Sequence, residues 1–258
     1  MNTVTEQKLP AAPALDRSIA SATEALLALQ RPDGHWVFEL EADATIPAEY
    51  VLLRHYLAEP VDKALEAKIA VYLRRIQSPW HGGWPLFHGG RFDMSATVKA
   101  YFALKVIGDD INADHMRLAR AAVLARAGGA ARSNVFTRIM LALFGFIPWG
   151  ALPVMPVEIM LLPRWFPFHL DKISYWSRTV IVPLLVLMAR KPKARNPLGV
   201  TIDELFEKPP ATMRPPPRAP QQKHAWFAFF AGVDALLRAA EPHMPKTMRQ
   251  RAVDRAVA

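Results

Sequence analysis

The chain has 258 residues, 52% of them apolar and 21% charged, a balance that excludes a disordered segment and suits one large domain or two small ones. Its 32 basic and 23 acidic residues leave a formal charge of +9, which favours anionic partners such as lipid headgroups or nucleic acid and equally fits a basic soluble surface. With no cysteine there is neither a disulfide nor thiolate chemistry, and no basic head followed by an apolar core marks a signal peptide.

In chain order, the first predicted element is a helix that runs out in LLALQRPDGHW, residues 26–36, where a Pro-Asp-Gly turn follows Gln30. Residues 46–57 place Ile46, Tyr50, Leu53 and Leu57 on one helical face, and residues 61–76 do the same with Val61, Leu65, Ile69, Leu73 and Ile76. Residues 95–107 and 113–127 are rich in helix formers and stop at Gly108 and Gly128. The stretch 139–157, IMLALFGFIPWGALPVMPV, carries no charge over 19 residues and has the length of a membrane span. Pro148, Pro153 and Pro156 argue instead for a buried helix over about 134–146 and an extended segment after it. Residues 172–190 form an apolar helix with Pro183 inside it, where a kink is expected. A proline-rich segment, 191–222, must cross the surface without helix, and is read as a structural linker rather than a partner motif. A last aromatic helix, HAWFAFFAGVDALLRAA, precedes a basic tail at 246–255. No run alternates like a strand.

One pattern occurs twice. Leu26, Gln30, Gly34 and Trp36 correspond to Leu73, Gln77, Gly82 and Trp84, and the two glutamines stand 47 residues apart, a spacing found in repeats built from helix pairs. AVLARAGGA, residues 122–130, keeps the glycines of a third copy without its Gln and Trp. A Gln amide can serve free backbone groups at a helix end, an indole can cover that amide, and Gly permits the turn between them. The role is a structural clasp. The helix pairs stack into a solenoid or close into a barrel, and spacing alone does not choose.

This paired pattern resembles the Gln-Trp repeats of the squalene–hopene cyclases and their oxidosqualene cyclase relatives. AEYVLLRHYL, DMSATVKAYFALKVIG, SNVFTRIMLALFG, IPWGALPVMPVEIMLLP and KISYWSRTVIVPLLVL resemble successive blocks of that family, in family order, from about residue 15 to about 257, and the bacterial branch fits best. The resemblance implies an all-α fold, an α–α barrel or toroid of helix-pair repeats, here incomplete. Residues 1–36 would form an N-terminal segment with the first clasp, and 37–258 most of the N-terminal barrel, truncated at its C-terminal end. The rest of the enzyme, a C-terminal barrel, would be a partner, and the full enzyme could form a homodimer.

The family protonates squalene with an Asp-x-Asp-Asp acid and closes rings through carbocations to hopene or hopanol, without metal or organic cofactor. A hydrogen-bonded carboxyl cluster suits that chemistry because an alkene is a poor base. No Asp-x-Asp-Asp occurs here, and Asp109-Asp110, the only Asp pair, reads as a surface loop. The chain is therefore expected to be a fragment, a pseudogene product or a split gene product, inactive alone. Position in the matching blocks implies that Phe136 and Trp176 line the substrate cavity, that Ile173 and Ile181 border its access channel, and that Glu49 is a polar pocket or support residue. Taken without the resemblance, these aromatics would be core and Glu49 would pair with an arginine. Lys99 and Asn134 stand where at least some members have Glu and Arg, so polar contacts there do not carry over.

Other chemistries find little support. His81 and His88 flank a Gly-rich turn without a carboxylate or Cys at ligand spacing, no phosphate loop exists, and no recognition fold accompanies the basic tail, so no nucleic acid is expected. Squalene is carried in bilayers, and the family is monotopic on one leaflet. Trp226, Phe227, Phe229 and Phe230, beside Lys223, His224 and Arg238, form the expected membrane contact, on the cytoplasmic side of a bacterial inner membrane. Packing of that helix on the barrel is the competing reading. The competing function is a non-catalytic barrel module that binds an apolar ligand or a lipid surface.

Overall fold

A computed structural model describes residues 13–38, 41–167, 169–215 and 222–257. The chain divides into two compact units, one ending at Glu41 and the other starting at Ala42. The first holds helix α1 (Pro13–Ala28) and the turn after it. The second holds α2 (Thr45–Leu57), α3 (Lys63–Arg75), α4 (Met94–Ile107), α5 (Asp114–Leu124), α6 (Val135–Leu143), α7 (Tyr175–Arg190), α8 (His224–Ala240) and α9 (Lys246–Val257). The described remainder is short 3-10 turns and irregular chain, with no strand, so the fold class is all-α.

Local chemistry sets the helix ends. Asp62, Asp93 and Asn134 cap α3, α4 and α6, each accepting from the backbone N–H three residues on, at 3.0, 2.8 and 2.9 Å. Gly108, at φ 119°, closes α4. Every residue from Ser95 to Leu104 is buried, so α4 is surrounded on all sides. It packs against α2, α3, α5 and α6, which present Leu52, Leu73, Met116 and Leu141 to the same core. Phe102 meets Phe144 and Phe146 edge-on at centroid distances of 4.8 and 5.0 Å. A smaller cluster of Val157, Leu185, Ala252 and Val253 joins α7, α9 and the 3-10 turn Val157–Leu161.

One element differs from expectation. The basic tail is the helix α9, which buries Ala252 and Val253, sets Arg249 against Glu158 and leaves Arg251, Asp254 and Arg255 exposed. Two small apolar residues are enough to dock it, yet give almost no periodic signal. The uncharged stretch 139–157 breaks at Phe144 into irregular chain and 3-10 turns, as its prolines require, and no helix among the described residues is long and apolar enough to cross a membrane. Helix α7 continues through Pro183.

Candidate functional site

The two clasps fold alike. In each, the Gln backbone N–H bonds three residues back, Gln30 to Leu27 at 3.1 Å and Gln77 to Arg74 at 3.4 Å. This tightening leaves the carbonyl four residues before the Gln without its i+4 donor, although that of Leu26 still accepts from the Leu29 N–H at 3.1 Å. The indole N–H supplies one, Trp36 to the Leu26 carbonyl at 2.7 Å and Trp84 to that of Leu73 at 2.8 Å. Each Gln amide then donates to the carbonyl of the motif glycine, Gly34 or Gly82, both at 2.6 Å. Those glycines sit at φ 90° and 71°, and a Cβ on Gly82 would meet the Leu118 carbonyl at 3.0 Å.

The copies differ in what they fasten. Gln77 also donates to the His115 carbonyl at 2.9 Å, tying the end of α3 to the start of α5, and Trp84 is fully buried. Among the described residues Gln30 donates only to Gly34, and Trp36 is 38% exposed.

Beside the second clasp lies a feature the sequence reading missed. Asp109 is no surface loop residue: its carboxylate is buried, accepts from Arg74 Nε at 2.9 Å and lies 2.6 Å from His115 Nε2. Burial alone would raise its pKa, but the hydrogen bonds and charges of Arg74 and His115 hold it below the ordinary carboxylate value. The Gly-Asp-Asp sequence looks like a turn, and both partners are distant or out of helical register.

The expected pocket residues lie on separate elements. Phe136, in the first turn of α6, is 52% exposed, and Trp176, in the first turn of α7, is 78% exposed. Trp176 meets Tyr175 edge-on at 5.8 Å, and no ring contact among the described residues joins it to Phe136. Ile173 precedes α7 and Ile181 lies within it, both half-buried, and Ile181 packs on the Val157 cluster. Glu49 on α2 pairs with a lysine rather than an arginine: its Oε1 lies 2.5 Å from Nζ of buried Lys99 on α4. Glu49→Gln is expected to cost about 1–2 kcal/mol by leaving Lys99 charged in the α2–α4 interface, and Lys99→Met less, an order that urea unfolding checks.

Helix α8 is pinned at one end. Arg238 donates to the carbonyls of Gly150 and Leu152 at 2.8 and 2.9 Å, and Asp234 accepts from the Val154 N–H at 2.6 Å. At the other end Trp226, Phe229 and Phe230 are exposed against one another, with Trp226 stacked on Phe230 at 6.0 Å, while Phe227 turns partly inward. A cleft borders the pinned end, and Arg249 reaches Glu158 there at 2.9 Å. None of Phe136, Ile173, Trp176 and Ile181 lines it. His81 serves its own loop, its Nδ1 accepting from the Gly83 N–H at 3.2 Å.

An all-helical chain with two Gln-Trp clasps of one geometry is the kind of protein that the family comparison identifies. The family model for the squalene-hopene cyclase N-terminal domain matches residues 19–258, and the chain belongs to that family. A squalene–hopene cyclase of Bradyrhizobium diazoefficiens is 62% identical over 253 residues, covering 98% of this chain and 38% of that protein. A probable squalene–hopene cyclase of Sinorhizobium fredii is 62% identical over 245 residues, covering 95% and 38%. The squalene–hopene cyclase of Alicyclobacillus acidocaldarius is 38% identical over 201 residues, covering 78% and 31%. The chain thus spans well under half the length of these curated relatives.

Proposed function

We propose that this chain is the N-terminal part of a squalene–hopene cyclase and supplies one wall of the cavity in which squalene is cyclised. The observation that carries the reading is the 62% identity maintained over 98% of the chain with a protein of that name. Phe136 and Trp176 would offer ring faces to cationic intermediates, which aromatic quadrupoles attract. Ile173 and Ile181 would border the route by which squalene enters, and Glu49 with Lys99 would support the wall from behind. The initiating acid would come from elsewhere in the complete protein, since no Asp-x-Asp-Asp occurs in these 258 residues. The purified chain is therefore expected to give no hopene or hopanol from squalene by gas chromatography. Turnover by the chain alone would sink this reading.

The same proposal puts the protein on a membrane surface, peripheral to the cytoplasmic leaflet of a bacterial inner membrane. The exposed Trp226, Phe229 and Phe230 beside Lys223 and His224 support it, because aromatic and basic groups together suit the headgroup boundary. Replacing all three rings by alanine is expected to weaken sedimentation with anionic phospholipid vesicles at least about tenfold, roughly the loss of 1.4 kcal/mol. A second reading, a non-catalytic module for apolar ligands, draws on the exposure of Phe136 and Trp176. It requires saturable quenching of tryptophan fluorescence by squalene in the isolated chain.

A further inference from the structure

The start of α6 carries an unmet polar cluster. Ser133 Oγ, Thr137 Oγ1, Arg138 Nε and Arg138 Nη1 are buried and have no hydrogen-bond partner, and they are four of the six such side-chain atoms among the described residues. Arg138 is 1% exposed, and its Nη2 donates to the carbonyl of Arg214. The other ionisable side chains buried to a similar degree all face an opposite charge. His55 pairs with Glu66 at 2.8 Å, Lys99 with Glu49 at 2.5 Å, Glu158 with Arg249 at 2.9 Å and His169 with Asp171 at 3.6 Å. Arg138 has no such partner among the described residues, and burial lowers its pKa with nothing opposing. A buried charge without a counter-charge is strongly unfavourable, and an unmet guanidinium within five residues of two unmet hydroxyls calls for oxygen acceptors.

We propose that Ser133, Thr137 and Arg138 form a buried carboxylate-binding site, filled by an Asp or Glu side chain from polypeptide outside these 258 residues. One guanidinium with two hydroxyls and no second cation in the cluster matches a monoanion, which favours a carboxylate over a phosphate dianion. The planar guanidinium fits carboxylate oxygens better than any other side chain. Among the described residues the one hydrogen bond of the guanidinium is to the Arg214 carbonyl, in the proline-rich segment, and an incoming carboxylate would reach Arg138 by releasing it. The source of the carboxylate rests on the reading of this chain as part of a longer cyclase, its matched relatives being more than twice as long. The carboxylate chemistry itself rests on the cluster alone.

Formate, the smallest carboxylate, probes the site in the 258-residue chain. Thermal unfolding is followed against sodium formate, with sodium chloride at matched ionic strength. Formate is expected to raise the wild-type midpoint by several degrees, saturating at on the order of tens of millimolar as befits a three-atom fragment. Arg138→Met is expected to unfold at higher temperature than wild type in chloride, because an unpaired buried charge is gone, and to ignore formate. Arg138→Lys, which keeps the charge but not the planar donors, should keep the low midpoint and lose most of the response. A wild-type chain indifferent to formate, or an equal response in Arg138→Met, overturns the site. A lower midpoint for Arg138→Met in chloride also overturns it, since the guanidinium would then be satisfied within the chain. Saturation at micromolar formate would overturn the protein source in favour of a free carboxylate. Absence of cyclase activity in the chain bears on none of these outcomes, so the two readings fail separately.

Discussion

Trp84→Ala is expected to destabilise the second unit by about 3–5 kcal/mol, the range for deleting a fully buried large aromatic from a core. Two losses add. The cavity left by the indole lies against α4, where Thr97 Oγ1 also accepts from the Trp84 backbone N–H at 3.0 Å. The Leu73 carbonyl then loses its donor, because Gln77 N–H is committed to Arg74. Trp84→Phe separates these losses: most of the ring volume stays and the indole N–H goes, so about 1–3 kcal/mol is expected, the cost of an unmet buried acceptor. Trp36→Ala, on a partly exposed ring of the same geometry, is expected to cost about 1 kcal/mol or less. Equilibrium unfolding in urea, read by circular dichroism, ranks the three. Equal losses for Trp36→Ala and Trp84→Ala would mean that the clasp, and not burial of its ring, sets the energy.

This asymmetry marks how far the sequence could be read. The spacing of Leu, Gln, Gly and Trp marked both clasps, because the pattern is local, but it is the indole N–H and not the Gln amide that serves the helix-end carbonyl. The extents of α2 and α3 followed from apolar spacing and that of α4 from its helix formers and Gly108. What local pattern could not reveal was whether each clasp gains a neighbour. Gln77 finds the His115 carbonyl 38 residues away, and nothing in the first copy announces that Gln30 stays with Gly34. Charged partners were hidden likewise. Glu49 and Lys99 meet only because α2 packs on α4, and Arg138 reads as an ordinary helical arginine until the burial of α6 makes it an exception. The aromatic residues assigned to the cavity by resemblance stand on exposed faces that local periodicity would have called core. Their roles rest on the proposal above.

Asp109 gives the second large effect, and its sign follows from the direction of its pKa. The folded value lies below the ordinary one, so on acidification the unfolded chain takes up this proton first. The contribution of the Arg74–Asp109–His115 group is therefore fully present above about pH 4, the value for an unfolded aspartate, and is lost as pH falls from there through the folded value. Asp109→Asn removes the charge while keeping the shape. It is expected to cost about 2–3 kcal/mol at pH 7, because three charge-assisted hydrogen bonds, two with Arg74 and one with His115, are weakened together at the junction of α3 and α5. It should also flatten the acid limb of the stability curve below pH 4. Arg74→Gln leaves the carboxylate buried with His115 as its one remaining ionic partner, and should lose stability at pH 7 while shifting the acid limb toward higher pH. Urea unfolding of the three proteins between pH 2.5 and pH 7 distinguishes these outcomes. An acid limb in Asp109→Asn that parallels wild type would assign the acid sensitivity to other carboxylates and leave Asp109 as a neutral spacer. The clasp of Gln77 and Trp84 closes on the same helix end, so coupling between Asp109→Asn and Trp84→Phe should exceed about 0.5 kcal/mol in a double-mutant cycle, as expected for side chains that share one backbone junction.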